Sequence, residues 1–182
     1  VVGSATVTPT LSLAQGEAED AYFTVLQVSA STYIDLARFD LAPAGRSVVA
    51  LRALVASALG ADQFDLPPDQ RFYGGGSGTV RGFRYQSIGP RFPDGTPQGG
   101  TALDAASIEF RQRIGSDWGA VAFVDAGHVS ANGGPLEGKL HVGAGVGVRW
   151  YTPIGPLRVD VAVPITDVEG NDAFQVYIGL GQ

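Results

Sequence analysis

The residues of this chain whose types could do chemistry are one arginine and two carboxylates. Arg81 lies in a glycine-rich stretch, and Glu109 and Asp125 follow it in two later segments. A guanidinium can bind a carboxylate through two parallel N–H···O hydrogen bonds, a geometry that a lysine ammonium cannot provide. We therefore predict that Arg81 forms an ion pair with Glu109 and Asp125.

Residue types alone leave an alternative open. Arg81 could be a solvated loop residue, and the two carboxylates could instead neutralise nearby arginines, namely Arg111, Arg113 or Arg149. Catalysis fits the pattern less well, because neighbouring arginines hold carboxylates ionised, which suits an ion pair better than an acid catalyst. Asp125 and His128 are three residues apart, so on a strand they face opposite sides. With no cluster of ligand residues either, we predict no catalytic residue, no metal site and no cofactor.

Glycine characterises the stretch that carries Arg81. Three consecutive glycines form a predicted turn: Gly74, Gly75 and Gly76. They allow the backbone to turn tightly or to lie against another surface, but the lysine of a phosphate-binding loop does not follow them. A surface turn does not need an arginine between Val80 and Phe83, so we predict that this loop folds back into the molecule. Gly82 then lets the backbone pass close to another segment, and Phe83 braces the tip.

Composition argues against two classes of protein. A net charge of −6 and a pI near 4.7 disfavour a nucleic-acid partner, because phosphate binding needs a basic surface. No window approaches the roughly 20 apolar residues of a membrane-spanning helix. Only 16% of the residues are charged, and all but one of the 12 cations are arginine, so we predict that much of the charge is internal. The chain has no methionine and no cysteine. Its first residues show no basic segment followed by an apolar run, so we expect no signal peptide among them and expect the chain to be a portion of a longer protein.

The elements that must position these residues are strands, because apolar and polar residues alternate with period two through most of the chain. Segment 140–151 is the clearest case: its even positions are all apolar, and its odd positions are glycine or polar. Eight strands are predicted, at 1–13, 22–36, 47–60, 103–113, 119–129, 140–151, 157–163 and 174–181. We predict one all-β, antiparallel up-and-down domain over residues 1–182, with a long loop at 61–102.

Two architectures share this pattern: a soluble sandwich or barrel with an apolar core, and a membrane barrel with an apolar exterior. Most predicted strands have 10 to 15 residues, which exceeds the usual length of about five or six and matches the roughly 9 to 11 that cross a bilayer at a tilt. The polar faces carry glycine and isolated arginines, which also favours the membrane barrel. We assign four aromatic residues near strand ends to the membrane interface: Tyr33, Trp150, Tyr151 and Tyr177.

The long loop then limits the width of the barrel. A barrel of eight strands has an interior that side chains alone fill. A loop of about forty residues does not fit inside so narrow a space. Either the loop stays outside, or these strands belong to a wider barrel whose other strands lie elsewhere in a longer protein.

Four motifs in order resemble the C-terminal barrel half of the Omp85 superfamily, over roughly residues 45 to 182. They are Arg-Phe-Tyr-Gly-Gly at 71–75 with Val-Arg-Gly-Phe at 80–83, Ser-Ile-Glu-Phe-Arg at 107–111, Phe-Val-Asp-Ala-Gly at 123–127, and Pro-Ile-Gly-Pro-Leu-Arg-Val-Asp at 153–160. Any one of them could arise by chance, but four in the family's order are specific. The short turns and the sequence of residues 158–164 resemble those of the TamA-like subfamily more than those of BamA.

The resemblance implies an outer-membrane barrel of about 16 strands that is preceded by POTRA domains. This chain would supply about the last eight strands of that barrel. It implies that the loop enters the lumen, where Arg81 contacts acidic residues at the positions of Glu109 and Asp125. It also implies a terminal strand that can part from the first strand to offer an edge to a client. We assign this seam to Phe174, Tyr177, Gly179 and Gly181. Gly179 and Gly181 weaken a strand, which suits a seam that opens, but the alternative that they only accommodate a crowded lumen stays open and is favoured by the sequence.

The implied function is the insertion or secretion of β-barrel proteins and autotransporters at the bacterial outer membrane. The implied partners are the lipid bilayer, the client proteins and a TamB-like partner anchored in the inner membrane. Two alternatives remain at this point: a two-partner secretion pore of the same superfamily, and a barrel that anchors a passenger enzyme.

Overall fold

The computed structural model describes residues 2–15, 20–166 and 170–180. These residues form eight β-strands: β1 (Val2–Gln15), β2 (Asp20–Asp35), β3 (Ser47–Leu59), β4 (Ala102–Ile114), β5 (Trp118–Ser130), β6 (His141–Thr152), β7 (Gly155–Pro164) and β8 (Gln175–Leu180). Two short 3-10 helices, Leu36–Phe39 and Pro68–Gln70, lie in the connections. Among the described residues, no helix has the length and apolar character needed to span a membrane.

The strands form one antiparallel sheet in which each strand pairs with its neighbours in sequence, in the order β1 to β8. This confirms the predicted all-β antiparallel fold, with strand ends within a few residues of those expected. At one end of the sheet, the connections 115–117 and 153–154 are tight and 36–46 is longer, whereas the opposite end carries the long segment 60–101. Outer-membrane barrels show the same asymmetry, with short turns on the periplasmic side and longer extracellular loops.

The two faces of the sheet differ as the alternation predicts. On β6 and β7, six outward apolar residues are 41–62% exposed: Val146, Val148, Trp150, Val159, Val161 and Val163. The opposite face carries small residues and the buried charges. A broad apolar surface is unfavourable in water and is what the lipid-facing wall of a barrel needs.

The long loop 60–101 packs against the polar face of the sheet. Val80, Phe83 and Ile88 of the loop form a buried cluster with Leu103 of β4 and Val129 of β5. The loop is also tied to strand ends by backbone hydrogen bonds, including one of 2.9 Å from the N–H of Thr101 to the carbonyl of Ser130. The loop therefore has a core of its own against the wall.

The assignment of four aromatic residues to the membrane interface was wrong for three of them. Trp150 faces outward and stacks on Trp118 with ring centroids 5.9 Å apart. The tyrosines face inward: the guanidiniums of Arg111 and Arg113 lie over the rings of Tyr33 and Tyr151, respectively, and Tyr177 contacts the loop. A tyrosine near a strand end suits either a membrane interface or a polar lumen, and only the parity of its position along the strand separates the two.

Candidate functional site

Arg81 lies at the tip of the long loop and is only 9% exposed. Its Nε and Nη2 donate hydrogen bonds of 2.7 and 3.0 Å to the two carboxylate oxygens of Asp125. The backbone N–H of Arg81 donates a third, of 3.0 Å, to the same carboxylate. The fork and the backbone contact together fix the orientation of the loop tip on β5, because planar bidentate pairing specifies direction as well as distance.

The remaining donors of Arg81 reach two other strands. Nη1 lies 2.9 Å from Glu109 Oε2 on β4 and 3.3 Å from Asp160 Oδ2 on β7. Nη2 also lies 3.4 Å from the hydroxyl of Ser107, and the guanidinium carbon is 3.3 Å from the centre of the Phe123 ring. One side chain thus joins three strands of the wall and rests on an aromatic face, a favourable position for a cation.

Further arginines balance the charges of these carboxylates. Arg149 binds both oxygens of Asp160, and Arg111 Nε donates a 2.7 Å bond to Glu109. Three guanidiniums therefore face three carboxylates, so Arg111 and Arg149 act beside Arg81 rather than in its place. Arg113, the third alternative, instead donates to the carbonyl of Ser116. Burial acts to lower the pKa of Arg81, but its hydrogen bonds and charge interactions with Asp125 and Glu109 prevail and raise that pKa above its ordinary value.

Sheet register and glycine explain why the sequence builds this site. Ser107 pairs directly across from Asp125, and Glu109 shares the face of Ser107 because it is two residues further along β4. The inner face of β6 presents glycine at Gly143 and Gly147. A Cβ at Gly143 would clash with the carbonyl of Arg81, and one at Gly147 with the carboxylate of Asp160. The absent side chains therefore leave the room that the loop and the ion pairs occupy.

The residues that flank Arg81 hold the loop tip down. Gly82 has a φ of +95°, and a Cβ there would lie 2.6 Å from the carbonyl oxygen of Val163 on β7. Phe83 is fully buried and meets His141 edge-on, with ring centroids 5.6 Å apart. In the glycine turn, Gly75 and Gly76 have φ values of +101° and +90°, and Gly74 packs against Ile88 and Val129.

The residues predicted to form the terminal seam do not come together as one group. Phe174 precedes β8 and is exposed, whereas Tyr177 points inward to the loop tip. A Cβ at Gly179 would lie 2.6 Å from Arg158 Nε, so this glycine accommodates an inward arginine. Gly181 lies outside the described residues.

Sequence reasoning missed Asp160, the pairing of Arg149 with Asp160 and the loop contact of Tyr177. Each of the three lies on the polar face of its strand, so parity could have placed it in the lumen. It also missed the pairing of His128 Nδ1 with Asp104 Oδ2 at 2.7 Å on the outer face. Within the part of the chain that the structure describes, no group of three or more His, Asp or Glu side chains could hold a metal ion.

Comparisons with known proteins agree with this architecture. Residues 4–182 match the Omp85 superfamily domain. The chain is 32% identical over 118 residues to an outer membrane protein assembly factor BamA of Nitratidesulfovibrio vulgaris, covering 62% of this chain and 15% of that protein. It is 29% identical over 135 residues to the BamA of Neisseria meningitidis serogroup B, covering 56% of this chain and 17% of that protein.

A solved structure shows the same fold. The crystal structure of BamA from Haemophilus ducreyi lacking POTRA domains 1–3 superposes with a TM-score of 0.74 at 25% identity, over 96% of this chain and 37% of that one. The present chain thus spans only a minor part of the length of these relatives. The family match, the lipid-type outer face and the superposition lead to one conclusion: the chain belongs to the Omp85 superfamily and is part of an integral β-barrel of the bacterial outer membrane.

Proposed function

We propose that the protein containing this chain is an outer-membrane protein assembly factor that helps to insert or secrete β-barrel proteins. The observation that carries this proposal is the buried fork of Arg81 on Asp125, with Glu109 and Asp160 around it. Each of these carboxylates accepts hydrogen bonds from Arg81, so the arrangement acts as a structural clamp. The names of the BamA relatives support the same function.

The proposed mechanism divides the sheet into a fixed part and a mobile part. The clamp attaches the loop tip to β4, β5 and β7, which stiffens this part of the wall. Within the described residues, β8 pairs with β7. The family resemblance gives β8 the place of a terminal strand that can part from the first strand of the complete barrel, and the edge freed in this way has N–H and C=O groups that can pair with a strand from another protein. We assign that edge to the incoming client strand.

The test compares Arg81→Ala, Arg81→Lys and Arg91→Ala in the full-length protein. Arg81→Ala should lower both the heat resistance of the folded barrel and the insertion of a client barrel into lipid vesicles, because it leaves buried carboxylates without their partner. Arg81→Lys should restore little, because an ammonium cannot form the fork. Arg91→Ala is the control, since this loop arginine binds the carbonyls of Ser87 and Gly95. Insertion and stability that are both unchanged in Arg81→Ala would contradict the proposal.

The finer assignment to the TamA-like subfamily is supported by the resemblance of residues 158–164. On this assignment, autotransporters are the principal clients, and a TamB-like protein of the inner membrane is the partner, reached through POTRA domains. Depletion of the protein in cells tests it. Selective loss of autotransporters from the outer membrane supports the TamA-like role, whereas uniform loss of all barrels contradicts it and favours a BamA-like role.

The secretion-pore alternative differs in what must happen to the loop. A pore must pass an unfolded chain, so the loop that packs on the inner face would have to leave it. Single-channel conductance of the full-length protein, with and without residues 71–91, separates the two functions. A large conductance that the intact loop already permits would favour the pore over the assembly factor.

A further inference from the structure

Tyr177 of the terminal strand binds the loop tip through its hydroxyl. The hydroxyl accepts a 3.0 Å hydrogen bond from the N–H of Gly82 and donates a 3.0 Å bond to the carbonyl of Phe83. Both partners are backbone groups in a tip that is otherwise buried. A phenol that binds the N–H of one residue and the C=O of the next fixes the position of the backbone itself.

The segment just before β8 binds the same tip from another side. The side-chain amide of Asn171 accepts a 3.1 Å bond from the N–H of Arg84 and donates a 3.0 Å bond to the carbonyl of Gly82. Arg84 in turn forms a fork with the carboxylate of Asp172, with Nε 2.7 Å from Oδ2. The side chain of Gln175, the first residue of β8, also donates to Asp172 at 2.7 Å.

These contacts are separate from the Arg81 clamp. The clamp uses the side chain of Arg81 and strands β4, β5 and β7, whereas the second set uses residues 82–84 and the segment 171–177. The loop tip therefore lies between two attachments, one on the wall and one on the terminal strand. If β8 moves away from β7, it must either break the second set of bonds or pull the tip off the wall.

We propose that Tyr177, Asn171 and Asp172 form a latch that couples the terminal strand to the loop tip and opposes detachment of β8. The latch is a property of the barrel and needs no client. Its consequence for client insertion rests on the function proposed above: a client that takes the edge of β8 has to compete with the latch.

The experiment measures amide hydrogen exchange in the full-length protein in lipid nanodiscs, without a client. The test variants are Tyr177→Phe and Asn171→Ala, which leave Arg81 and its carboxylates intact. The control is Tyr73→Phe, because the hydroxyl of Tyr73 donates to the carbonyl of Pro68 elsewhere in the same loop. Heat-modified migration confirms that each barrel is folded.

The latch predicts that both test variants speed exchange about tenfold or more at the tip amides of Gly82 and Arg84 and at the amides of β8, the scale expected when neutral hydrogen bonds are lost. The amides of β5 and the control variant should match the wild type. Faster exchange at the tip alone would refute the coupling to β8. Faster exchange in all strands would show general destabilisation and would also overturn the latch, as would no change at all. None of these results depends on whether the protein inserts clients.

Discussion

Replacing Asp125 by alanine should destabilise the barrel more than any other removal of a carboxylate at this site. Asp125 is 1% exposed and accepts four hydrogen bonds: three from Arg81, counting its backbone N–H, and one of 2.6 Å from the hydroxyl of Ser107. Removing one partner of a buried pair costs about 3–5 kcal/mol, because the other charge is left buried without compensation. Removal of Glu109 or Asp160 leaves the bidentate pair of Arg81 with Asp125 in place, so the loss of either should cost less.

The assay is urea unfolding of the full-length protein in lipid vesicles, followed by tryptophan fluorescence. A double-mutant cycle with Arg81→Ala isolates the pair: removing both partners should cost clearly less than the sum of the two single changes, because residues in direct contact are not additive. Asp94→Ala in the exposed loop is the matched control, since its carboxylate bonds only locally to Thr96. A cost below about 1 kcal/mol for Asp125→Ala, the range of an exposed pair, or strict additivity with Arg81→Ala, would refute the reasoning.

Two further predictions concern the loop tip. Gly82→Ala should prevent the tip from packing on β7, because the residue has a φ of +95° and the new methyl meets a backbone carbonyl that cannot move aside. Protease cleavage within the loop of the folded barrel should therefore rise. Gly78→Ala, where a Cβ meets nothing within 4 Å, is the control and should behave as wild type. The latch should also weaken in acid. The hydrogen bond from Arg84, with that from Gln175, holds the pKa of Asp172 below its ordinary value of 3.8. The stability that the Asp172 carboxylate contributes is therefore present above pH 3.8 and is lost as the pH falls through the lowered pKa of the folded state. Asp172→Asn should therefore lower the urea midpoint at pH 5 to 7 but not at about pH 2, and an equal effect at all pH values would contradict the charge-based explanation.

The parity of the strands carried most of what could be predicted. Because Ile108 faces lipid, Glu109 must face the lumen, and a carboxylate at Asp125 is too costly to face hydrocarbon. The structure places both beside Arg81. Parity could not show how far around the wall the loop tip extends, and for this reason the contact with Asp160, two strands beyond Asp125, was not predicted.

Long-range contacts of the loop were beyond the reach of the sequence for a related reason. Tyr177 and Asn171 are far from Gly82 along the chain, and their bonds go to backbone atoms, which leave no trace in residue type. The short 3-10 helix at Leu36–Phe39 was also missed, because it is set by local capping: Asp35 accepts a 3.0 Å bond from the N–H of Ala37. Strand type and order follow from pattern, whereas such contacts follow only from the packed structure.

The bare inner face of β6 has a consequence for the order in which this part of the molecule folds. Glycine weakens an isolated strand, because it has the largest conformational entropy to lose and no side chain to pack. β6 carries glycine at Gly143, Gly145 and Gly147, and its inner surface is completed by Phe123, Asp160 and the backbone of Arg81. The docked loop tip therefore supplies packing contacts that the glycines of β6 cannot make for themselves, and we expect β6 to become rigid in the same cooperative step in which the loop docks.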